Sequence, residues 1–316
     1  MSGFDVSLIT LVSAANAYCN GAGDLLRDYR SMPTLRQAQA FTVGRPHAQS
    51  DPARGFHTVH RSPGAWFRSL VRRGAYGAYL RRGTLQHTTA EIAENVVAHH
   101  YAAPDQPDLW PPMSARSTAD SFRMAAYVPT NAAWYMQILC PDAYELWTMR
   151  WEDLQFRRAV FSIQLSVRNV RGPLILFRHL IRQRQEALRY DLAEIKQRFQ
   201  CALADIHEFS VDCAGGYCEK DFSVAAEALG SANPLTYCDT HGIVAADQYP
   251  LEAQQLIVAA QKAWVFGGMG SWNDQGDTVL QMERYREVSV ALHSVVAEAW
   301  EAATNSYILV PPRIIS

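Results

Sequence analysis

The sequence has no apolar run of the about 18 to 20 residues that a membrane-spanning helix requires. It therefore predicts no transmembrane helix. Lysine is also scarce, because only Lys196, Lys220 and Lys262 occur and every other basic residue is arginine. A guanidinium group is planar and binds phosphate or carboxylate in a bidentate manner. The arginine bias agrees with an anionic partner, and a GC-rich genome would produce the same bias.

Cysteine is too sparse for a disulfide scaffold, since six cysteines are spread over 316 residues. This excludes a small disulfide-rich secreted protein and predicts a cytoplasmic location. The apolar stretch Val6 to Ala17 ends in small residues, as a signal peptide does. However, Asp5 precedes it and no Lys or Arg does. We therefore expect this stretch to form a first amphipathic helix and not an export signal.

Several catalytic motifs are missing as well. The chain contains no Gly-x-Ser-x-Gly elbow, no Walker phosphate-binding loop, no Gly-x-Gly-x-x-Gly, and neither Glu-x-x-His nor His-Glu-x-x-His. These absences remove the support for the common hydrolases, nucleotide hydrolases, dehydrogenases, zinc peptidases and di-iron helical bundles. The sequence assigns no catalytic residue, and whether the chain is an enzyme stays open.

Apolar residues at helical spacing dominate what is present. Spacings of three and four recur from Pro173 to His207, from Leu251 to Phe266 and from Asp277 to Asn305. The stretch Phe156 to Val170 mixes helical and alternating spacing, so a short strand is an alternative there. Weaker patterns predict helices over residues 5–19, 22–30, 89–102 and 117–138.

The predicted fold is mainly α. We expect a bundle-like single domain of several helices over residues 1–316, with one short strand or hairpin. Residues 42–64 and 104–118 are rich in proline, glycine, serine and histidine, which predicts two long loops. An N-terminal subdomain over residues 1–150 is an alternative division, because it contains both loops.

The charge is unevenly distributed along the chain. Residues 1–199 carry 24 basic and 16 acidic side chains, whereas residues 200–316 carry 5 and 15. The most basic segment, Pro52 to Ala90, holds seven arginines with interleaved aromatic residues and no Asp or Glu. Arginine and aromatic rings together bind phosphates and stacked bases. The candidate anion ligands in this segment are Arg68, Arg72 and Arg73.

A competing interpretation is that these arginines pair with the acidic C-terminal part of the chain. The net charge of −2 also argues against a nucleic-acid partner, because nucleic-acid-binding proteins usually carry a basic excess. A protein partner is therefore expected.

Four residues provide a candidate zinc site. Cys213-x4-Cys218 and Cys238-x2-His241 place thiolate and imidazole groups in one short segment, and these groups bind tetrahedral zinc. The first pair is spaced more widely than in most zinc knuckles. Ordinary thiols are therefore the competing interpretation.

A glycine-rich block, Phe-Gly-Gly-Met-Gly-Ser-Trp-Asn-Asp (266–274), separates the last two strongly predicted helices. Gly267 is expected to cap the helix before it, and Gly268 and Gly270 suit positive φ or a close backbone approach. The backbone N–H groups around Gly268, Gly270 and Ser271 also form a candidate anion-binding nest. A purely structural turn is the competing interpretation.

This block resembles the C-terminal part of uncharacterised bacterial proteins from toxin, immunity or mobile-element neighbourhoods. The resemblance covers residues 251–306, including the terminal Ala-Ala-Thr-Asn-Ser (302–306), and implies no catalytic residue. It implies a bacterial interaction protein. The sequence thus predicts a protein-binding interaction, immunity or regulatory factor. The alternative is an enzyme or sensor of a phosphorylated or nucleotide ligand that uses the Arg-rich aromatic segment.

Overall fold

Ten stretches of the chain are described by the computed structural model, and they contain six α-helices and six β-strands. The described residues are 3–21, 40–46, 56–82, 134–140, 143–153, 159–170, 190–238, 246–266, 271–272 and 281–307. The helices are α1 (Gly3–Cys19), α2 (Pro63–Arg72), α3 (Leu192–Cys213), α4 (Glu219–Gly230), α5 (Leu251–Ala263) and α6 (Met282–Asn305). The strands are β1 (Ala40–Pro46), β2 (Phe56–His60), β3 (Gly77–Arg82), β4 (Trp134–Leu139), β5 (Ala143–Asp153) and β6 (Ala159–Val170).

The strands form one sheet in the order β2-β1-β6-β5-β4-β3. Strands β1 and β6 run parallel, and all other neighbours run antiparallel. The pairing of β5 with β6 shifts register between Leu146 and Trp147, which is the signature of a β-bulge. Strand β3 stands at one edge of the sheet and β2 at the other.

The predicted mainly α fold is confirmed, because the described helices are longer in total than the strands and pack against one another. The stretch Phe156 to Val170 contains β6, in agreement with the alternative of a strand there. The sheet is nevertheless larger than the single short strand or hairpin that was expected. One of its inner pairings joins β1 to β6, which are remote in sequence, and pairing at such a distance leaves no local periodic signal.

Two local predictions are wrong. The predicted loop 42–64 contains most of β1, all of β2 and the start of α2. Its composition suggested a loop, but hydrogen bonding to neighbouring strands decided the structure. The predicted helix 117–138 is wrong over residues 134–138, which belong to β4, and residues 117–133 lie outside the described part. Residues 136–139 of this strand are all buried. A short run that is buried on both faces shows neither helical nor strand periodicity, so length and spacing could not distinguish the two.

Helix α3 begins later than predicted. The expected helix from Pro173 to His207 starts, within the described part, at Leu192 and continues to Cys213. The Asp191 side chain accepts a hydrogen bond from the Glu194 backbone N–H at 3.0 Å, which satisfies one of the unpaired donors at a helix start. The predictions for residues 22–30, 89–102, 104–118 and 173–189 lie outside the described residues.

Helices α5 and α6 confirm the other two strong predictions with shorter bounds. Because α5 ends at Ala263, Gly267 does not follow its last turn, and the predicted glycine cap is wrong. Trp264 and Phe266 leave the helix and are buried, with the Trp264 ring 4.9 Å from that of Trp300 in α6. Helix α5 therefore ends where Trp264 packs against α6, although the apolar pattern of the sequence continues to Phe266.

Helix α1 confirms the helix predicted over residues 5–19, but it is not amphipathic. Every residue from Leu8 to Ala17 is buried. The polar side chains on this segment therefore lie in the interior, where they require hydrogen-bond partners. Ser13 bonds to the Tyr249 hydroxyl, whose pKa is raised by burial. The prediction expected α1 to have one polar face in solvent. Instead the helix is buried on all sides over residues 8–17, and its polar side chains bond within the protein.

Two asparagines join the helices to the sheet. Asn16 of α1 donates through Nδ2 to the Ala78 carbonyl oxygen at 3.0 Å and accepts at Oδ1 from the Ala78 N–H at 2.6 Å. Asn305 of α6 makes the same pair of bonds with Leu80, at 2.8 and 2.7 Å. We call Asn16 and Asn305 the asparagine clamp. Because Ala78 and Leu80 both lie in β3, the clamp attaches two helices to one edge strand.

Candidate functional site

Helix α2 lies in the most basic segment of the chain and begins at a regular cap. The Ser62 hydroxyl accepts a hydrogen bond from the Ala65 N–H at 3.3 Å, and Pro63 occupies the first turn, where its missing N–H has no helical partner to lose. The helix has 10 residues and no acidic side chain. A helix of this length is stabilised mainly by the face that it buries.

The inner face of α2 is apolar and packed. Trp66, Phe67 and Leu70 are almost completely buried. The Trp66 ring lies 5.0 Å from that of Trp147 in β5, and the Phe67 ring lies 6.0 Å from that of Tyr18 at the end of α1. Burial of each large side chain contributes about 1.5 to 3 kcal/mol, so these contacts hold the helix in place. Trp66 and Phe67 are therefore not available to stack on nucleic-acid bases.

The outer face of α2 carries exposed cationic side chains around an exposed valine. We call Ala65, Arg68, Val71 and Arg72 the basic face. Both arginines and Ala65 are exposed, and Val71 retains 39% of its accessible surface. Within the described residues, neither Arg68 nor Arg72 forms an ion pair with a carboxylate.

Among the described residues, Arg68 and Arg72 do not make the pairs with the acidic C-terminal part that the competing interpretation expected. Glu298 of α6, which belongs to this acidic part, binds Arg198 of α3 through two bonds of 2.7 and 2.8 Å. Arg73 is half-buried and donates through Nε to the Ser69 carbonyl oxygen at 3.3 Å. Of the three predicted anion ligands, Arg68 and Arg72 therefore share the exposed face, whereas Arg73 also binds the end of its own helix.

The glycine-rich block is anchored at both ends. The Trp272 N–H donates to the Val265 carbonyl oxygen at 3.0 Å. The Trp272 indole N–H donates to Ser289 Oγ at 2.7 Å, and the Tyr285 hydroxyl donates to the Trp272 carbonyl oxygen at 2.7 Å. These bonds agree with the structural-turn interpretation of the block.

The predicted anion-binding residues of the glycine-rich block do not join the basic face. Ser271 is buried, and Gly268 and Gly270 lie outside the described residues. Trp272 packs its ring against helices α3, α4 and α6, whereas α2 packs against α1, β2 and β5. The block and the basic face therefore rest on different elements, and the anion nest stays a prediction.

The zinc prediction involves three described cysteines, all with free thiols. Among the residues that the structure describes, no group of three or more His, Cys, Asp or Glu side chains is arranged to hold a metal ion. Cys213, Cys218 and Cys238 therefore do not form such a group by themselves. His241 lies outside the described part, so the complete four-residue set stays a prediction.

Local contacts favour the competing interpretation of ordinary thiols. Cys238 Sγ donates to Gln261 Oε1 at 2.7 Å. Cys218 precedes α4 with a left-handed backbone, φ 62°. Burial, with a smaller contribution from the charge of Asp221, raises the pKa of Cys218 to about 11. The bond of Cys238 to Gln261 is typical of a protonated thiol that acts as a hydrogen-bond donor.

A serine and a histidine that the sequence did not single out lie together where α3 meets α4. Ser223 Oγ is 3.1 Å from His207 Nε2, and Glu219 Oε1 is 4.0 Å from the same nitrogen. In a catalytic triad the serine and the acid bind opposite ring nitrogens, so that the acid orients the base. Here both approach Nε2. The three groups are therefore not arranged as a catalytic triad.

No family model, curated protein or solved structure matches this chain. Within the described part, no helix is both long and apolar enough to cross a membrane. The resemblance of the C-terminal block therefore stays an expectation.

Proposed function

We propose that the protein is an interaction factor that docks an acidic surface of a partner protein on the basic face of α2. The observation that carries this proposal is that Arg68 and Arg72 are exposed with no carboxylate partner among the described residues. Exposed like charges four residues apart on a helix repel each other modestly. A carboxylate-bearing partner would remove this repulsion.

A protein surface suits this face better than a nucleic acid does. Nucleic-acid binding without base readout combines cationic side chains with exposed aromatic rings, and the rings of Trp66 and Phe67 are buried. The exposed group between the arginines is instead the aliphatic side chain of Val71. Interfaces between proteins combine such an apolar centre with arginine at the rim. The resemblance to bacterial immunity-type proteins points in the same direction.

Charge at the rim of an interface mainly accelerates association and makes it sensitive to salt. Each exposed ion pair contributes only about 0.2 to 1 kcal/mol, so two arginines alone do not give tight binding. The proposal therefore implies that binding weakens as ionic strength rises, and that additional contacts surround the basic face.

Photo-cross-linking tests the proposal directly. A benzophenone amino acid placed at exposed Ala65 should give a protein adduct in cells, and the charge reversal Arg68→Glu with Arg72→Glu should abolish it. Two matched controls are needed. The substitution Arg286→Glu reverses an exposed arginine on α6 and should keep the Ala65 adduct. The same cross-linker at exposed Ala226 on α4 should give no adduct of the same mass.

The identity of the adduct decides the outcome. The captured protein, once purified, should bind the wild-type chain and bind the double-reversal variant at least about tenfold more weakly. An adduct removed by nuclease, or tight binding of ATP or inorganic phosphate lost in the same variant, would replace the proposal with the alternative of a nucleotide or phosphate ligand. An adduct that persists in the double-reversal variant would show that the basic face is not the docking surface.

A further inference from the structure

We propose that the acidic surface bound by the basic face is the C-terminal half of α3 on a second copy of this chain. This inference rests on the proposed function and names its partner. It starts from the exposed apolar side chains. In the described part of the chain, the large hydrophobic residues classed as exposed are Val71, Val211 and Leu251.

Val211 lies on α3 in surroundings that are opposite in charge to those of Val71. Glu208 and Asp212 are exposed on either side of it, and Val211 retains 47% of its accessible surface. No ion pair of Glu208 or Asp212 occurs within the described residues. We call Glu208, Val211 and Asp212 the acidic face.

The two faces have the same spacing. On α2 the order is Arg68, Val71, Arg72, and on α3 it is Glu208, Val211, Asp212, so each valine follows one charge by three residues and precedes the other by one. Residues three and four apart share one side of a helix. Two helices that meet along these faces would place valine near valine and each arginine within reach of a carboxylate.

The acidic face lies at the C-terminal end of α3, where the helix supplies no positive charge of its own. The C-terminal end of a helix carries a partial negative charge, which favours basic side chains there. Helix α3 has no basic residue in its last turn and has Asp212 instead. An approaching arginine would therefore interact with the carboxylates and with the end of the helix dipole. The acidic face costs α3 some stability unless a cation covers it.

One arginine of the same chain lies near this region without covering it. Arg284 of α6 has its pKa raised first by a hydrogen bond to Glu287 and further by the charges of Glu287, Asp205 and Glu208. Its guanidinium is held by Glu287 at 2.8 Å, a distance typical of an ion pair. The surface around the acidic face therefore keeps an excess of carboxylates.

The two faces are different patches of the chain, which restricts the assemblies that they can form. One contact between α2 of one copy and α3 of the next is heterologous. Two such contacts related by a two-fold axis would close a dimer. A stable interface buries about 1,200 to 2,000 Å², which is more than the area that one short helix contact can bury. We therefore expect a salt-sensitive association that depends on both faces.

A charge-swap experiment tests the inference on the full chain. Three variants are needed: Arg68→Glu with Arg72→Glu, Glu208→Arg with Asp212→Arg, and the control Arg286→Glu. Sedimentation velocity at low salt should show self-association of the wild-type chain and of the control. Each double variant alone should associate at least about tenfold more weakly, since like charges then face each other.

Mixing the two double variants should restore association, because every contact between the two kinds of copy is again between opposite charges. Native mass spectrometry of an isotope-labelled mixture should show mixed assemblies. All the substituted side chains are exposed, so circular dichroism should confirm that the variants fold. Recovery in the mixture cannot be explained by misfolding of either variant.

Three results would overturn the inference: a wild-type chain that stays monomeric at low salt and high concentration, double variants that associate like the wild type, or a mixture that shows no recovery. These results leave the proposed function separately testable. A monomeric chain whose Ala65 adduct contains another protein and disappears on reversal of Arg68 and Arg72 would retain the proposed function and reject only the second copy as partner.

Discussion

Asn16 shows how one buried side chain can set a large part of the structure. Its amide satisfies both the N–H and the carbonyl of Ala78, and it is itself almost completely buried. A buried backbone group without a partner costs about 1 to 3 kcal/mol. Loss of the Asn16 side chain would leave both the N–H and the carbonyl of Ala78 without a partner. Asparagine is otherwise disfavoured within a helix, and here the tertiary contact outweighs that preference.

Substitution Asn16→Ala should lower the free energy of unfolding by about 2 to 4 kcal/mol, because two buried backbone groups lose their partners. Urea denaturation followed by circular dichroism measures this change. The matched control is Asn233→Ala at an exposed position, which should change the stability by less than about 0.5 kcal/mol. Equal effects at the two positions would contradict the role of the asparagine in holding β3.

At the scale of elements, the connection between α5 and α6 is held by a small polar network within an aromatic cluster. Trp272 is fully buried against Phe222 at 5.4 Å and Tyr285 at 5.5 Å between ring centroids. Its indole N–H binds Ser289, whose hydroxyl also donates to the Tyr285 carbonyl oxygen at 2.5 Å. The network fixes where the chain re-enters the core before α6 begins.

The Tyr285→Phe substitution keeps the ring and removes the hydroxyl that donates to the Trp272 carbonyl oxygen at 2.7 Å. We expect a loss of about 1 to 3 kcal/mol in the free energy of unfolding, since a buried acceptor loses its donor. Chemical denaturation monitored by tryptophan fluorescence measures it. Tyr18→Phe serves as the comparison, because the Tyr18 ring is only half-buried, and it should have little effect. No loss at Tyr285 would mean that water replaces the hydroxyl.

At the scale of the molecule, one cluster of buried apolar residues extends from the sheet into the helices within the part that the structure describes. It includes Trp147 of β5, Leu8 of α1 and Trp300 of α6. The clamp reinforces this continuity at β3. Packing of this kind couples the stability of neighbouring elements, because none can open without exposing the side chains of another.

Native-state hydrogen exchange should therefore report similar opening free energies for the amides of β4 and of α6. The double substitution Asn16→Ala with Asn305→Ala should separate them, because the sheet then loses its bonded link to both helices while keeping its own strand pairing. Exchange measured by mass spectrometry on peptides from the two regions tests this. Widely different opening energies in the wild-type chain would instead favour a separate N-terminal subdomain, which was the alternative division over residues 1–150.

The sequence was most informative where structure is local. The apolar spacing of α3, α5 and α6 predicted three helices, because each buries a continuous stripe. The same reasoning missed the sheet, since β1 and β6 are far apart in the sequence. It also missed that α1 is buried on all sides, since Ser13 and Asn16 bond to residues outside the helix. Two of the predicted helix bounds were also too wide. Asp191 caps the start of α3, and Trp264 follows the last residue of α5.

The candidate site was predictable only in part. Composition identified the basic segment and named Arg68 and Arg72, but it could not show which side of α2 is buried. It treated the aromatic residues as potential ligands, whereas Trp66 and Phe67 support the helix from within. The signal that could have separated them is the spacing of Pro63, Trp66, Phe67 and Leu70, which follows one helical face.

The asparagine clamp also limits how this protein can polymerise. The outer strand of a sheet normally presents unsatisfied main-chain groups that template the addition of another strand, and this is a route to fibrillar aggregates. At Ala78 and Leu80 these main-chain N–H and carbonyl groups already bond to the side chains of Asn16 and Asn305. Addition of a foreign strand is thereby disfavoured at these two residues, and among the described strands the other edge available for such growth is β2.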